Sequence, residues 1–172
     1  MMGTATLAGL LALETLRAEG PAGSARYDEI ILRYSQLNGL NPRLVKAVIA
    51  AESEFKNRAV SPAGARGLMQ LMPKTSVFLE TPVSRLHDPE SNIAAGTKYL
   101  AMLCRAAAAR HSPGSRRCAD APTRVVWRAV AAYHAGPRAL ELPSERWPAA
   151  TRVYARKVLR LSRAPLSAVS GR

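Results

Sequence analysis

Helix-starting signals recur along this chain, and strand signals do not. Asn41-Pro42 and Asp88-Pro89 each pair a side chain that accepts from free backbone amides with a proline whose ring pre-sets the helical φ. Pro73 and Trp147-Pro148 open two further stretches. Asn38-Gly39 closes a segment carrying Ile30, Ile31, Tyr34 and Leu37, and Gly136-Pro137 closes one carrying Val125, Val126, Ala129, Val130 and Tyr133. Helices are therefore expected up to Asn38, from Pro42 to about Phe55, from Pro73, from Pro89 with Ile93, Leu100 and Leu103 on one side, up to Ala135, and from Pro148 to about Leu161. Ser61 to Gly67 reads as a turn-rich loop and Ser112 to Arg117 as a basic one. No segment alternates convincingly as a strand, and there is no internal repeat. The fold class is mainly α.

A chain of 172 residues with 48% apolar residues fills one packed domain and is too apolar for a disordered chain. Lys and Arg number 25 against 12 Asp and Glu, a net +13, so an anionic partner is expected. Nucleic acid, an anionic membrane face and an anionic cell-wall polymer all satisfy that charge. Aromatics at 5% argue against a base-stacking surface. The basic residues are also spread along the chain, as at Arg17, Arg33, Lys46, Lys74, Arg105, Arg128 and Arg160. The denser run from Arg110 to Arg117 has no aromatic partner. No nucleic-acid partner is expected. No apolar run is long enough to cross a bilayer.

The first 26 residues stand apart: a mildly apolar Thr4 to Leu13, then Gly20-Pro21-Ala22-Gly23-Ser24. The segment reads either as an N-terminal helix or as a weak export signal. It lacks a positive start and carries Glu14 and Glu19. The expected organisation is this segment, a domain over 27–161, and a frayed tail over 162–172.

Within the helix expected from Pro42, Val45, Val48 and Ile49 share one bearing at about 100° per residue. Glu52 falls in the middle of that apolar stripe, whereas Glu54 falls on the opposite face. A carboxylate aimed at a core is costly unless paired or protonated. Two readings follow: a buried ion pair or capping glutamate, with Arg66 as one partner, or a catalytic acid whose pKa an apolar site raises.

The residues downstream bear on that choice. Glu52-Ser53-Glu54-Phe55 leads to Ala59-Val60-Ser61-Pro62 and then Gly67-Leu68-Met69-Gln70-Leu71-Met72-Pro73. Asn92-Ile93-Ala94-Ala95-Gly96 and Lys98-Tyr99-Leu100 follow, then Ala132-Tyr133-His134-Ala135-Gly136, then Val153-Tyr154-Ala155. This order resembles the soluble lytic transglycosylases, the SLT branch of the lysozyme-like superfamily that includes goose-type lysozyme. The resemblance extends from about Tyr27 to Leu161.

The resemblance implies a lysozyme-like helical domain with a substrate cleft, acting on the bond between N-acetylmuramic acid and N-acetylglucosamine in peptidoglycan glycan strands. Glu52 would be the single acid and base, forming a 1,6-anhydromuramoyl end. Ser61 would bond near the acid or a sugar acetamide. Gln70 and Met72 would line the cleft with Met69 close behind. Tyr133 would orient Glu52 and contact sugar, and Tyr154 would close the site. His134 stands where the family usually has Asn, which alters the contact made there and brings a group that titrates near neutral pH. The mechanism requires no cofactor and no metal, and the histidines, His87 and His111 included, lack metal-ligand spacing.

Glycosidases commonly use two carboxylates. Asp88 and Glu90 have simpler roles at a helix start, and Glu54 points away, so a transglycosylase is favoured over a hydrolytic muramidase. A non-catalytic peptidoglycan-binding assembly factor of a secretion system would be expected to have lost Glu52. By analogy, a small enzyme of this type would be periplasmic or exported to the wall and would serve a secretion, conjugation or pilus apparatus. Cys104 and Cys118 fit a disulfide across the basic loop or two free thiols equally well.

Overall fold

The computed structural model describes residues 25–112 and 117–163. The N-terminal segment up to Ser24, the middle of the basic loop and the tail beyond Arg163 lie outside the described residues. Six α-helices carry the fold: α1 (Asp28–Asn38), α2 (Pro42–Ser53), α3 (Pro73–Phe78), α4 (Pro89–His111), α5 (Thr123–Ala135) and α6 (Ala149–Arg163). Short 3-10 turns fill several connections. Among the described residues the only β pairing is a set of isolated bridges, Val60 with Arg66 and Arg66 with Leu71. The mainly α expectation holds.

The sequence signals act as local physics demands. The Asn41 side chain accepts from the Arg43 amide at 2.9 Å, and Asp88 accepts from the Ser91 amide at 2.9 Å. Gly39 takes φ 64°, which lets the Leu40 amide return to the Ser35 carbonyl at 2.8 Å. One expectation needs correction. α2 stops at Ser53 rather than Phe55, because Glu54 and Phe55 adopt φ of 51° and 62°. The turn brings Phe55 into the core and lets the Ser53 hydroxyl donate to the Leu68 carbonyl at 2.7 Å.

α2 is the central helix. Every residue from Leu44 to Ala50 is buried, and the helix packs against α1 and α6. α4 and α5 form the other large contact, and α5 also meets α6. A smaller apolar cluster of Leu71, Leu79, Leu86 and Ala95 lies under the loop region between α2 and α4. Lys46, one of the cations expected on the surface, is instead fully buried and meets Asp28 of α1 at 2.7 Å.

Cys104 of α4 and Cys118 are joined by a disulfide spanning 14 residues. Closing a loop of this length stabilises a fold by about 3 kcal/mol. Replacing both cysteines by serine should therefore lower the melting temperature by roughly 10 °C. Calorimetry of the oxidised and double-serine proteins would measure this, and equal melting temperatures would contradict it.

Candidate active site

Glu52 sits on the last turn of α2, where that helix meets α6. Its Oε1 accepts a hydrogen bond of 2.6 Å from the Tyr154 hydroxyl on α6. Burial pushes the Glu52 carboxyl up to about 7, against the opposing effects of the Tyr154 bond and the Lys157 charge. Among the described residues neither Arg66 nor a second carboxylate acts on it. Glu54, two residues on, is exposed and bonds Lys56 at 2.8 Å, which holds its carboxyl below the usual range. Two neighbouring glutamates are thus driven apart in acidity, one kept protonated near neutral pH and the other ionised.

The wall beside Glu52 is the loop from Ser61 to Met72, and a buried asparagine on α4 holds it. Asn92 accepts from the Met69 amide at 2.7 Å and donates to the carbonyls of Arg66 at 3.0 Å and Leu86 at 2.9 Å. Gly67 makes this approach possible: at φ 80°, a Cβ there would lie 2.1 Å from the Leu86 carbonyl oxygen. Gln70 takes φ 48° and donates through Nε2 to the carbonyls of Ala59 at 3.2 Å and Gly67 at 2.9 Å. Its amide nitrogen is thus engaged within the loop. The Ser61 hydroxyl accepts from the Ala65 amide at 3.0 Å, stabilising the turn rather than reaching the acid.

Met69 and Met72 part company. Met69 is fully buried against Gly96, where a Cβ would meet its sulfur at 2.4 Å. Its side chain is core, which removes it from the sugar-facing set. Met72 is 40% exposed at the start of α3.

The hydroxyl that reaches Glu52 belongs to Tyr154 rather than to Tyr133. Tyr133 donates to the Met69 carbonyl at 2.8 Å and packs on Tyr99 with ring centres 5.5 Å apart. It braces the loop, and Tyr154 holds the acid. Burial raises both phenols well above their ordinary value, with the Glu52 charge adding to each. His134 is exposed, with its ring centre 4.6 Å from that of Tyr154 and Nδ1 3.2 Å from the Thr151 hydroxyl. Partial burial lowers its pKa, which favours the neutral ring at neutral pH.

Asn92 is the functional residue whose role the sequence reading missed, although it stood inside a matched stretch. The available signal was an amide side chain one position before Ile93, on the side of the helix that also carries Leu100 and Leu103. Among the described residues no cluster of His, Cys, Asp or Glu could hold a metal.

This geometry has counterparts in known proteins. Membrane-bound lytic murein transglycosylase C of Edwardsiella ictaluri is 41% identical over 87 residues, which is 45% of this chain and 24% of that protein. The transglycosylase of Enterobacteria phage PRD1 is 34% identical over 139 residues, 81% of this chain and 44% of that one. The chain thus spans less than half the length of either relative. Among solved structures, an inactive Glu→Gln mutant of lytic transglycosylase Slt from Pseudomonas aeruginosa superposes with a TM-score of 0.59 at 29% identity, covering 78% of this chain and 23% of that one. The 70 kDa soluble lytic transglycosylase of Escherichia coli shares the helical fold, with a TM-score of 0.61 at 23% identity, covering 84% of this chain and 26% of that one. The family model for the transglycosylase SLT domain matches residues 29–149, so the chain belongs to the SLT transglycosylase family.

Proposed function

We propose that this protein is a peptidoglycan lytic transglycosylase in which Glu52 is the sole acid and base. The supporting observation is a half-buried carboxyl with its pKa raised to about 7, a tyrosine on one oxygen and no second carboxylate among the described residues acting on it. Protonated Glu52 gives its proton to the glycosidic oxygen as the bond from muramoyl C1 to that oxygen breaks. The resulting carboxylate takes the proton of the muramoyl 6-hydroxyl as O6 bonds to C1. Glu52 ends protonated and no water is consumed. The products are a free 4-hydroxyl on N-acetylglucosamine and a 1,6-anhydromuramoyl end. Tyr154 positions the carboxyl. Tyr133, Asn92 and Gln70 hold the loop wall, and Ser61, Met72 and His134 are proposed to face sugar.

Digestion of purified peptidoglycan followed by mass spectrometry tests this. Anhydromuramoyl products are expected. Reducing muramic acid ends would instead assign a hydrolytic muramidase, and the absence of any release would overturn the enzymatic reading.

The pH profile follows from the acid's protonation. The rate of release should fall as pH rises through about 7, because the proton needed for the first step is lost there. Tyr154→Phe removes a bond that favours the ionised carboxylate. It should therefore move this falling limb to higher pH while lowering the rate. A limb that stays in place or moves down would contradict the assignment.

The catalytic unit is proposed to be residues 27–161, working on glycan strands of the cell wall after export. The disulfide fits an oxidising compartment. By analogy with small single-domain wall enzymes, local opening of the wall for a secretion, conjugation or pilus apparatus suits a unit of this size.

A further inference from the structure

The basic residues are dispersed in sequence, yet α6 gathers some of them into one stripe. Val153, Arg156, Lys157 and Arg160 follow the i, i+3, i+4, i+7 spacing of a single helix face and line a groove of about 320 Å³. No acidic residue lines it. These three cations make no hydrogen bond or ion pair with any described residue. Arg33, Arg85, Arg110 and Arg117 have carboxylate partners, whereas Arg58, Lys74, Lys98 and Arg105, like the stripe, have none among the described residues. Arg156 and Arg160 stand four apart on the helix, a like-charge spacing that destabilises it. Val153, 59% exposed, adds an apolar contact at the start of the stripe.

The position of the stripe indicates what it meets. Lys157 lies one helical turn beyond Tyr154, the residue that holds Glu52, and its charge acts on both Glu52 and Glu54. Glu54 is already engaged by Lys56. The stripe thus begins next to the residue that holds Glu52 and runs along α6 for about 10 Å. A glycan strand has few charges of its own, whereas the peptide stems on its muramoyl lactyl groups carry several carboxylates. A stem leaving a sugar seated at Glu52 meets, within one helical turn, cations that form no ion pair with any described residue.

We propose that the Arg156–Lys157–Arg160 stripe is a binding site for the carboxylates of the substrate's peptide stems, giving the enzyme a preference for stem-bearing over stem-free glycan. The proposal rests on the assignment of Glu52 as the acid acting on peptidoglycan. An anionic membrane surface is less suited to a narrow stripe that starts next to the residue holding Glu52, and the test separates the two.

The test is a binding measurement in the full chain with Glu52→Gln, which binds without turnover, so its outcome is independent of the product assay above. Soluble glycan strands are compared with and without their stems, the latter stripped by an amidase. Arg156→Gln/Arg160→Gln leaves Lys157, whose charge reaches Glu52, in place. It should weaken binding to stem-bearing strands about fivefold, equivalent to about 1 kcal/mol for two exposed charge contacts. Binding to stripped strands should be unchanged. Arg156→Glu/Arg160→Glu should weaken stem-bearing binding further, and Arg156→Lys/Arg160→Lys should restore most of it. Equal loss on both glycans, or no loss on either, overturns the proposal. Loss of sedimentation with phosphatidylglycerol vesicles, with glycan binding intact, also overturns it and assigns the stripe to a membrane.

Discussion

Glu52→Gln is expected to lower the rate of glycan release by at least about 10³-fold, because general acid catalysis contributes about 10²–10⁴ and here one group supplies both proton transfers. The amide has the shape of the carboxyl and can still accept from the Tyr154 hydroxyl, which sits 2.6 Å from Oε1 in the wild type. The loss is therefore chemical. Stability should move the other way. A carboxyl raised to about 7 from an ordinary 4.5 holds a proton in the folded state that the unfolded chain releases. That contribution is fully present below about pH 4.5 and is lost as pH rises through 7. The melting temperature of the wild type should fall between pH 5 and 8 relative to that of Glu52→Gln, which lacks the group. Activity within tenfold of wild type would refute Glu52 as the acid. An unchanged difference in melting temperature across that range would refute its raised pKa.

The largest effect on folding is expected at Lys46→Met. Lys46 and Asp28 meet at 2.7 Å with both side chains at 0% exposure. Lys46→Met breaks a buried ion pair, a change that costs about 3–5 kcal/mol. A domain of this kind has about 5–15 kcal/mol in total. The variant should unfold at markedly lower urea concentration with an unchanged slope. Asp28→Leu added to Lys46→Met should recover most of the loss, since an apolar pair in place of a buried ion pair is often neutral or better. A single variant within about 1 kcal/mol of wild type would show that the pair does not hold α1 to α2.

These effects differ in how far the sequence disclosed them. Glu52 was legible because α2 has a regular period, and a carboxylate out of phase with its neighbours stands out in one dimension. Lys46 falls about 100° around the helix from Val45, off that stripe, so the period does not flag it although it is buried. It passed as one cation among many because its partner lies 18 residues away on another helix. Long charged side chains are so commonly solvated that position alone does not flag them. The helix starts at Asn41, Pro73 and Asp88 were legible for a local reason: capping groups and proline act within one turn. The end of α2 was not, because Phe55 leaves the helix to reach a core assembled from distant residues.

The sequence by itself determined a mainly α chain, the order of its helices and a misplaced acid followed by family motifs in the expected order. Those properties depend on spacing along one strand of backbone, where periodicity and capping are complete physical signals. Only the tertiary structure decided which tyrosine serves the acid. Tyr133 and Tyr154 are both motif residues on helices that pack together, and spacing cannot say whose hydroxyl reaches Glu52. The packing of α6 on α2 gives that place to Tyr154, and Tyr133 turns to the Met69 carbonyl. Tertiary packing likewise joined Cys104 to Cys118, sent Met69 into the core, and brought the Lys157 charge of α6 to Glu52. Each of these outcomes is a distance between elements, set by how buried surfaces fit rather than by any residue's neighbours in sequence.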